Sequence, residues 1–329
     1  MKKARSITAL LALLAIALFG AGSATGGAAN ENGSLVFGGL DPSTNTVQVY
    51  TLAPGSSPAK LTSTDAGVWH ECPSWSPDGS LIYFDLYDRE TESPAHIYRI
   101  DATGGTPQLS DRPNAPTHLC PSVDSTGKWV AAVQYKADNS NSIIRMRTDG
   151  SERRPVARAG KQQNVYSPQF APGSSKRILF YRVTYKRVGA GVKRSDLVVV
   201  NGAGRKRNVT KRSNRRFGSA SWSPNGRSIV AVRGSADKEI VRMSSKGTNV
   251  RRLIRVNGDF VHLSDPTFSP DGSKIAYVRC KGDCGDPDAK GNGSIWVMNA
   301  DGSNRRRILS QATAGVQPVG DLDWGVGAP

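Results

Sequence analysis

The sequence of 329 residues has few cysteines, few aromatic side chains and almost no helical patterning. Beyond residue 30, no segment places apolar side chains at i, i+3 and i+4, which argues against helical fold classes. The apolar run at residues 7–19 is shorter than the roughly 20 residues of a membrane-spanning helix. A G-x-S-x-G motif and a nucleic-acid recognition motif are both absent. We therefore expect no membrane span, no hydrolase domain and no sequence-specific binding of nucleic acid.

The N-terminal residues have the order of a secretory signal. Three of the first five residues are Lys or Arg, the apolar run follows, and small residues come after it. This order predicts a signal peptide over residues 1–29, with cleavage after Ala24 or Ala29. No cysteine follows the apolar run, so we expect no lipid anchor. The mature chain is expected in the periplasm or outside the cell.

The chain contains a short sequence motif that recurs along its length. Its clearest copies read Pro-Ser-Trp-Ser-Pro-Asp-Gly at residues 73–79 and Pro-Thr-Phe-Ser-Pro-Asp-Gly at residues 266–272. A period of this length indicates one supersecondary unit repeated, each unable to bury its apolar face alone. The anchor residues of the five copies lie 46 to 52 residues apart and are Trp75, Val123, Phe170, Trp222 and Phe268.

Each repeat predicts four antiparallel strands. The anchor ends the first strand, and Pro followed by Asp or Asn and Gly is turn chemistry. In the last repeat, the second strand is Ile-Ala-Tyr-Val at residues 275–278 and the third is Ile-Trp-Val-Met at residues 295–298. A basic fourth strand at residues 305–309 completes the unit. Four antiparallel strands per repeat are typical of a β-propeller blade.

The two ends of the sequence predict how the ring closes. Residues 34–37 match a second strand with no first strand before it, and residues 320–324 match a first strand with nothing after it. We therefore predict an all-β, six-bladed propeller over residues 30–329, closed by pairing of the C-terminal strand with the first blade. An open solenoid is the alternative, but neither end resembles a cap. The predicted blades are 34–62 with 320–324, 72–109, 120–156, 167–210, 218–254 and 265–309.

These repeats resemble the TolB-type β-propeller repeat, a WD40-like repeat also called PD40. The resemblance covers nearly all of residues 34–324, and its best single copy is residues 266–302. TolB-type proteins carry an α/β domain before the propeller, and prolyl-oligopeptidase-like enzymes join a similar propeller to a hydrolase domain. The resemblance here is to the propeller alone, and we expect neither additional domain. The resemblance is strong evidence for the fold and weak evidence for the function, since propellers serve many functions.

Four cysteines in an exported chain predict two disulfides, with three possible connectivities. Cys280 and Cys284 can close a local loop in the last blade. Cys72 and Cys120 then pair by elimination, and they occupy the same position in neighbouring blades. Equivalent positions need not face each other, so this bond is plausible only where the strands begin, near the propeller axis.

Two metal sites are alternatives to these interpretations. His70 and Cys72 are two residues apart, as are His118 and Cys120, so two histidines and two cysteines from adjacent blades could hold zinc. Disulfide formation is the favoured interpretation for an exported chain, and we expect no resident cofactor. A calcium site is the second hypothesis, against a solvated acidic loop, and its oxygen ligands would be Asp283, Asp286, Asp288 and Asn292.

The formal charge of +17 is distributed unevenly. Residues 31–152 contain 8 Lys or Arg and 15 acidic residues, whereas residues 153–255 contain 26 and 3. A field of this sign attracts anionic partners and weakens with salt. Cations on outer strands also block edge-to-edge pairing, which explains part of the excess. The loop cations remain, and the predicted partner-binding patch is Lys186, Arg187, Lys193, Arg194, Lys211, Arg212, Arg215 and Arg216.

We therefore predict an exported, monomeric, non-enzymatic scaffold that binds a protein or an anionic envelope polymer through propeller-face loops, including the basic loops of blades 4 and 5. The alternative is a metal-dependent lyase or hydrolase acting at the channel mouth. That activity would use His70, His118, His262 and Asp265. A third interpretation is an envelope protein with a purely structural role.

Overall fold

A computed structural model describes residues 32–64, 67–91, 93–187, 191–282, 284 and 291–326. Within these ranges, 24 strands form six four-stranded antiparallel sheets. This architecture confirms the predicted six-bladed propeller. The predicted signal peptide lies outside the described residues, as do three of the four candidate calcium ligands, Asp283, Asp286 and Asp288.

Each blade contains four consecutive strands, except the first, which takes its innermost strand from the C-terminus. The strands are β1 (Asn32–Asp41), β2 (Thr46–Leu52), β3 (Ala59–Lys60), β4 (Val68–Trp75), β5 (Leu81–Asp88), β6 (His96–Asp101), β7 (Gln108–Leu109), β8 (His118–Val123), β9 (Trp129–Tyr135), β10 (Asn141–Arg147), β11 (Arg154–Arg158), β12 (Gln163–Phe170), β13 (Ile178–Tyr185), β14 (Val192–Val200), β15 (Lys206–Asn208), β16 (Phe217–Trp222), β17 (Ser228–Arg233), β18 (Glu239–Ser244), β19 (Arg251–Arg255), β20 (Val261–Phe268), β21 (Lys274–Lys281), β22 (Asn292–Asn299), β23 (Arg306–Ser310) and β24 (Gln317–Val326).

The recurring motif forms the turn between the first and second strands of a blade. In blade 2, the Ser76 hydroxyl donates to Asp78 Oδ1 at 2.6 Å and accepts the Leu81 backbone N–H at 2.9 Å. Gly79 adopts a φ of 73°, a conformation that most other residues avoid. The same hydrogen bond from serine to aspartate recurs between Ser269 and Asp271 in blade 6. The repeated motif therefore encodes a repeated turn.

The core lies between neighbouring blades. In each blade the second and third strands carry apolar side chains that pack against the next sheet. Tyr83 and Ile97 of blade 2, for example, contact Val130, Ala132 and Ile144 of blade 3, and all five are buried. Full burial of such side chains contributes about 1.5–3 kcal/mol for each large aliphatic or aromatic residue, so every blade is stabilised mainly by its neighbours.

The ring closes where β24 pairs with β1. Leu35 lies opposite Trp324 and Val36 opposite Asp323, and Trp324 Nε1 donates to the Gly33 carbonyl at 3.0 Å. The predicted closure by the C-terminal strand is therefore confirmed. This pairing leaves no open edge at the junction of the two chain ends.

One short helix, α1 (Gln311–Ala314), occurs among the described residues, where the sequence predicted none beyond residue 30. It is a single turn that ends at Gly315, which adopts a φ of 68°. A turn of four residues is too short to produce a helical periodicity in the sequence. Within the described ranges, the helical content lacks the length and apolar character that a membrane-spanning segment requires.

Candidate functional site: the channel and its top face

All six innermost strands begin at the same face of the propeller, here called the top face. Because strands alternate in direction, the loops between the second and third strands and the loops that enter the next blade also lie there. Each innermost strand contains a bulge about midway, where its pairing register with the next strand shifts. The residues at the bulges form what we call the bulge ring: Cys72, Cys120, Ser167, Ser219, Asp265 and Asp321.

The bulge ring has a left-handed backbone at five of its six positions, with φ between 45° and 55°. Non-glycine residues rarely adopt this conformation. Four of these five residues donate their backbone N–H to a side chain of a neighbouring blade. Cys72 N–H, for example, donates to Asp321 Oδ2 at 3.2 Å, and Asp321 N–H donates to Asp265 Oδ2 at 3.1 Å. The bulges therefore place side chains on the channel wall and connect neighbouring blades near the axis.

A second set of contacts joins the blades one layer below the ring. The anchor Trp75 donates its backbone N–H to Asp323 Oδ2 at 3.0 Å, and Trp222 donates to Gln169 Oε1 at 2.8 Å. In each case the acceptor belongs to the preceding blade. These two anchors therefore connect neighbouring blades as well as ending their strands.

Carboxyl groups concentrate inside the channel. Burial raises the pKa of Asp85 well above its ordinary value, and the nearby charge of Glu71 raises it further. Burial, together with the charges of Asp265 and Glu71, also raises the pKa of Asp321. The channel interior therefore favours protonated carboxyls or bound cations, although the chain as a whole is strongly basic.

Both predicted disulfides are confirmed. Cys72 pairs with Cys120, with Cα atoms 4.7 Å apart, and Cys280 pairs with Cys284, with Cα atoms 6.0 Å apart. The first bridge joins two neighbouring positions of the bulge ring, at the axis, as the sequence required. Both cysteines have the left-handed bulge conformation, which interrupts the alternation of an ordinary strand.

The two histidines of the zinc hypothesis are bonded to other side chains. His70 donates from Nδ1 to Gln48 Oε1 at 3.0 Å. His118 hydrogen-bonds through Nδ1 to Asp111 and accepts at Nε2 from Gln134 at 3.0 Å. Both rings are fully buried. Among the described residues, the group of three potential metal ligands includes neither histidine and consists of Cys72, Asp85 and Cys120.

A funnel of about 480 Å³ opens from the channel towards the top face, on the side of blades 4 to 6. Tyr166 and Tyr181 stack on its wall with ring centroids 5.1 Å apart. Asp265 and Asp321 of the bulge ring lie at its inner end, and Arg216 also lines it. The funnel therefore combines aromatic surface, acidic groups and one cation.

Two members of the predicted basic patch have internal roles. Arg194 donates from Nε to both Asp196 oxygens at 2.6 and 2.7 Å, and from Nη2 to the Lys211 carbonyl at 2.9 Å. Arg216 donates from Nη2 to the Val192 carbonyl. These contacts connect β14 to the loop that enters blade 5. Arg194 and Arg216 therefore position the loops on which the other cations lie.

The other six cations of the patch are exposed on the top face, on the β13–β14 loop, at the start of β14 and on the loop before β16. Within the described residues, none of them forms an ion pair. Their charge is therefore directed to solvent. We call this set the top-face cations: Lys186, Arg187, Lys193, Lys211, Arg212 and Arg215.

Sequence reasoning missed most of the acidic channel. It named Asp265 but not Glu71, Asp85 or Asp321. A usable signal was present, because Cys72, Cys120, Ser167 and Asp265 each directly precede a proline at the same position of their repeat. The position was polar in each of these repeats, although the sequence could not show that it faces the axis.

No family model matches the chain. TolB of Anaeromyxobacter dehalogenans strain 2CP-C, named a Tol-Pal system protein, is 28% identical over 189 residues, which are 56% of this chain and 39% of that protein. An uncharacterized protein of Agrobacterium fabrum is 26% identical over 244 residues, 70% of this chain and 76% of that protein. The chain thus spans about two fifths of the length of the TolB relative.

The crystal structure of TolB from Acinetobacter baumannii superposes with a TM-score of 0.67 at 18% identity. It covers 89% of this chain and 66% of the other. An oligogalacturonate lyase in complex with manganese superposes with a TM-score of 0.53 at 15% identity. At such identities the superpositions show a shared propeller fold and nothing about activity.

Proposed function

We propose that this homologue of the TolB propeller is an exported, non-enzymatic scaffold that binds a partner protein through its top face. The proposal depends chiefly on the top-face cations, six exposed charges that form no ion pair within the described part of the chain. Two partly exposed arginines, Arg194 and Arg216, fix the loops on which these cations lie. Such a surface fits a partner with an acidic segment.

The same face offers an apolar contact. Phe260, on the loop that leads into β20, is 81% exposed and has a φ of 59°. Bulky residues rarely adopt a positive φ, and strain of this kind often accompanies function. An aromatic side chain beside a polar rim is typical of a binding hot spot. We propose that Phe260 packs against an apolar side chain of the partner.

Export is the second part of the proposal. The two disulfides agree with an oxidising compartment. The predicted signal peptide would direct the chain there. The periplasm is the compartment we propose, in keeping with the Tol-Pal name of the relative.

The test is a pull-down from the native envelope with two charge-reversed variants. In the first, the six top-face cations are changed to Glu. In the second, six exposed cations of the opposite face are changed to Glu, which alters the net charge equally. The control set is Lys128, Arg153, Lys176, Arg205, Arg227 and Lys246.

We expect wild type and the opposite-face variant to capture the same protein, and the top-face variant to lose it. Capture should weaken as salt rises. Equal capture by both variants would contradict the proposal. Retention on protein-free cell-wall polymer, lost in the top-face variant alone, would identify an anionic polymer as the partner instead.

A further inference from the structure

Four potential metal-ligand atoms converge on the blade 1–3 side of the bulge ring. The sulfurs of Cys72 and Cys120 and a carboxylate oxygen of Asp85 lie within 4.8 Å of one another. Asp321 Oδ1 lies 3.6 Å from Cys72 Sγ. These atoms come from three neighbouring blades, so only the closed ring brings them together.

Asp85 supplies a second, independent observation. It is 1% exposed on β5, and its Oδ2 accepts the Cys120 backbone N–H at 2.7 Å. Its other oxygen, Oδ1, is buried and has no hydrogen-bond partner. A buried polar atom without a partner costs about 1–3 kcal/mol and calls for an explanation. A metal ion bound next to the sulfurs would provide the missing partner.

We propose that, when the Cys72–Cys120 bridge is reduced, the two thiolates and Asp85, with Asp321 beside them, bind one zinc-like divalent ion. Two sulfur and two oxygen donors form a tetrahedral set that suits borderline-soft ions such as Zn²⁺ or Co²⁺. This ligand set differs from the one proposed from sequence, because buried carboxylates take the places of His70 and His118.

A thiol or phosphine reductant supplies the electrons that break the Cys72–Cys120 bond. Reduction of the S–S bond takes two electrons from the reductant and two protons, and yields two thiols. Metal binding then releases to water both thiol protons and any proton held by the Asp85 and Asp321 carboxyls. Because the sulfurs cannot be in the disulfide and act as thiolates at once, the oxidised and metal-bound forms exclude each other. The ring can therefore be joined at this point by a covalent bond or by a metal.

The experiment uses the exported chain carrying Cys280→Ser and Cys284→Ser, so that Cys72 and Cys120 are the only thiols. The protein is reduced with a phosphine, desalted without oxygen and titrated with Co²⁺. We expect thiolate-to-cobalt charge-transfer absorption that saturates at one ion per chain. Oxidised protein should show no such band. Absence of the band in the reduced protein would overturn the proposal.

Asp85→Asn tests the carboxylate. Asparagine can still accept the Cys120 N–H, so the fold should persist. The Co²⁺ affinity should fall at least about tenfold, because loss of a group that merely supports a ligand already costs about 10- to 100-fold. Asp101→Asn is the matched control, since Asp101 is an exposed acid of the same blade, and its affinity should equal that of the parent. Equal affinities of all three proteins would exclude Asp85 as a ligand.

The folded state is followed in parallel by far-ultraviolet circular dichroism. If the reduced, metal-free chain unfolds, recovery of the spectrum together with the cobalt band on adding Co²⁺ would support the site. If the chain unfolds and Co²⁺ restores neither signal, the proposal is wrong.

Discussion

Blades 2 and 3 are joined by different chemistry from blades 4 and 5, although the repeats are built alike. Between blades 2 and 3, Cys72 and Cys120 form a covalent bond and Asp85 accepts the Cys120 N–H. Between blades 4 and 5, Arg194 and Arg216 donate to backbone carbonyls across the junction. The first junction is acidic and contains the buried Asp85, and the second is basic and partly exposed.

This difference separates structural cations from those available to a partner. The basic half of the chain contains 26 Lys or Arg, yet within the predicted patch two arginines are used in the junction. The other six face solvent on the loops that those arginines fix. Sequence composition therefore overestimates the number of cations that can contact a partner. The hydrogen bonds identify the arginines that have internal roles instead.

The largest expected effect is on the covalent junction. Replacing Cys72 and Cys120 with serine removes a crosslink with a sequence separation of 48 residues. The chain-entropy estimate for a loop of this size is a loss of about 4 kcal/mol in the free energy of unfolding. Replacing Cys280 and Cys284, only 4 residues apart, should cost about 2 kcal/mol. Denaturant titration under oxidising conditions would measure both, and a larger loss for the second pair would refute the ranking.

The second expected effect is a pH dependence that originates in blade 2. Burial lowers the pKa of His70 from 6.5 to about 4. At His70, the unfolded chain therefore binds a proton more tightly than the folded chain does. The contribution of His70 to the free energy of unfolding is present in full above pH 6.5 and is lost as the pH falls towards 4. The loss attributable to His70 is at most about 3 kcal/mol.

Thermal denaturation between pH 4 and 7 would measure this loss, with His70→Gln as the comparison. The variant should show a flatter pH profile, since glutamine does not titrate and can still donate to Gln48. An unchanged slope would show that other groups cause the acid sensitivity.

The third prediction concerns the arginine junction. Arg194→Leu removes the main partner of Asp196, which is 1% exposed, and should lower the free energy of unfolding by about 2–3 kcal/mol. The neighbouring Lys193 is exposed, and Lys193→Ala should change stability by less than about 0.5 kcal/mol. Chemical denaturation of both variants checks this. Similar losses for the two would contradict the division into structural and available cations.

The smallest expected effect is at Phe260. Its φ of 59° suits glycine better than phenylalanine, so Phe260→Gly should raise the free energy of unfolding by about 1 kcal/mol. The same variant should weaken partner capture, because it removes the exposed aromatic contact. A stabilised variant that binds its partner as tightly as wild type would exclude Phe260 from the interface.

The repeat made much of this fold predictable. The Ser-Pro-Asp-Gly motif encodes a turn through its own side chains. The unmatched strands at the two ends predicted that the C-terminal strand pairs with the first blade. The channel was harder to predict. Asp85 lies on a second strand and Asp321 on the closing strand, and nothing local in the sequence marks either as an axial residue.

The sequence by itself determined the four-stranded blade, the number of blades and the closure of the ring. Turns and apolar strands depend on neighbouring residues and recur with the repeat. Only the tertiary structure decided which polar groups meet at the axis and which arginines are used internally. Bulge positions and contacts between blades depend on atoms from several repeats, and local sequence does not specify such distances. The Cys72–Cys120 bridge belongs to both categories: its pairing followed by elimination, and its place beside Asp85 came from the closed ring.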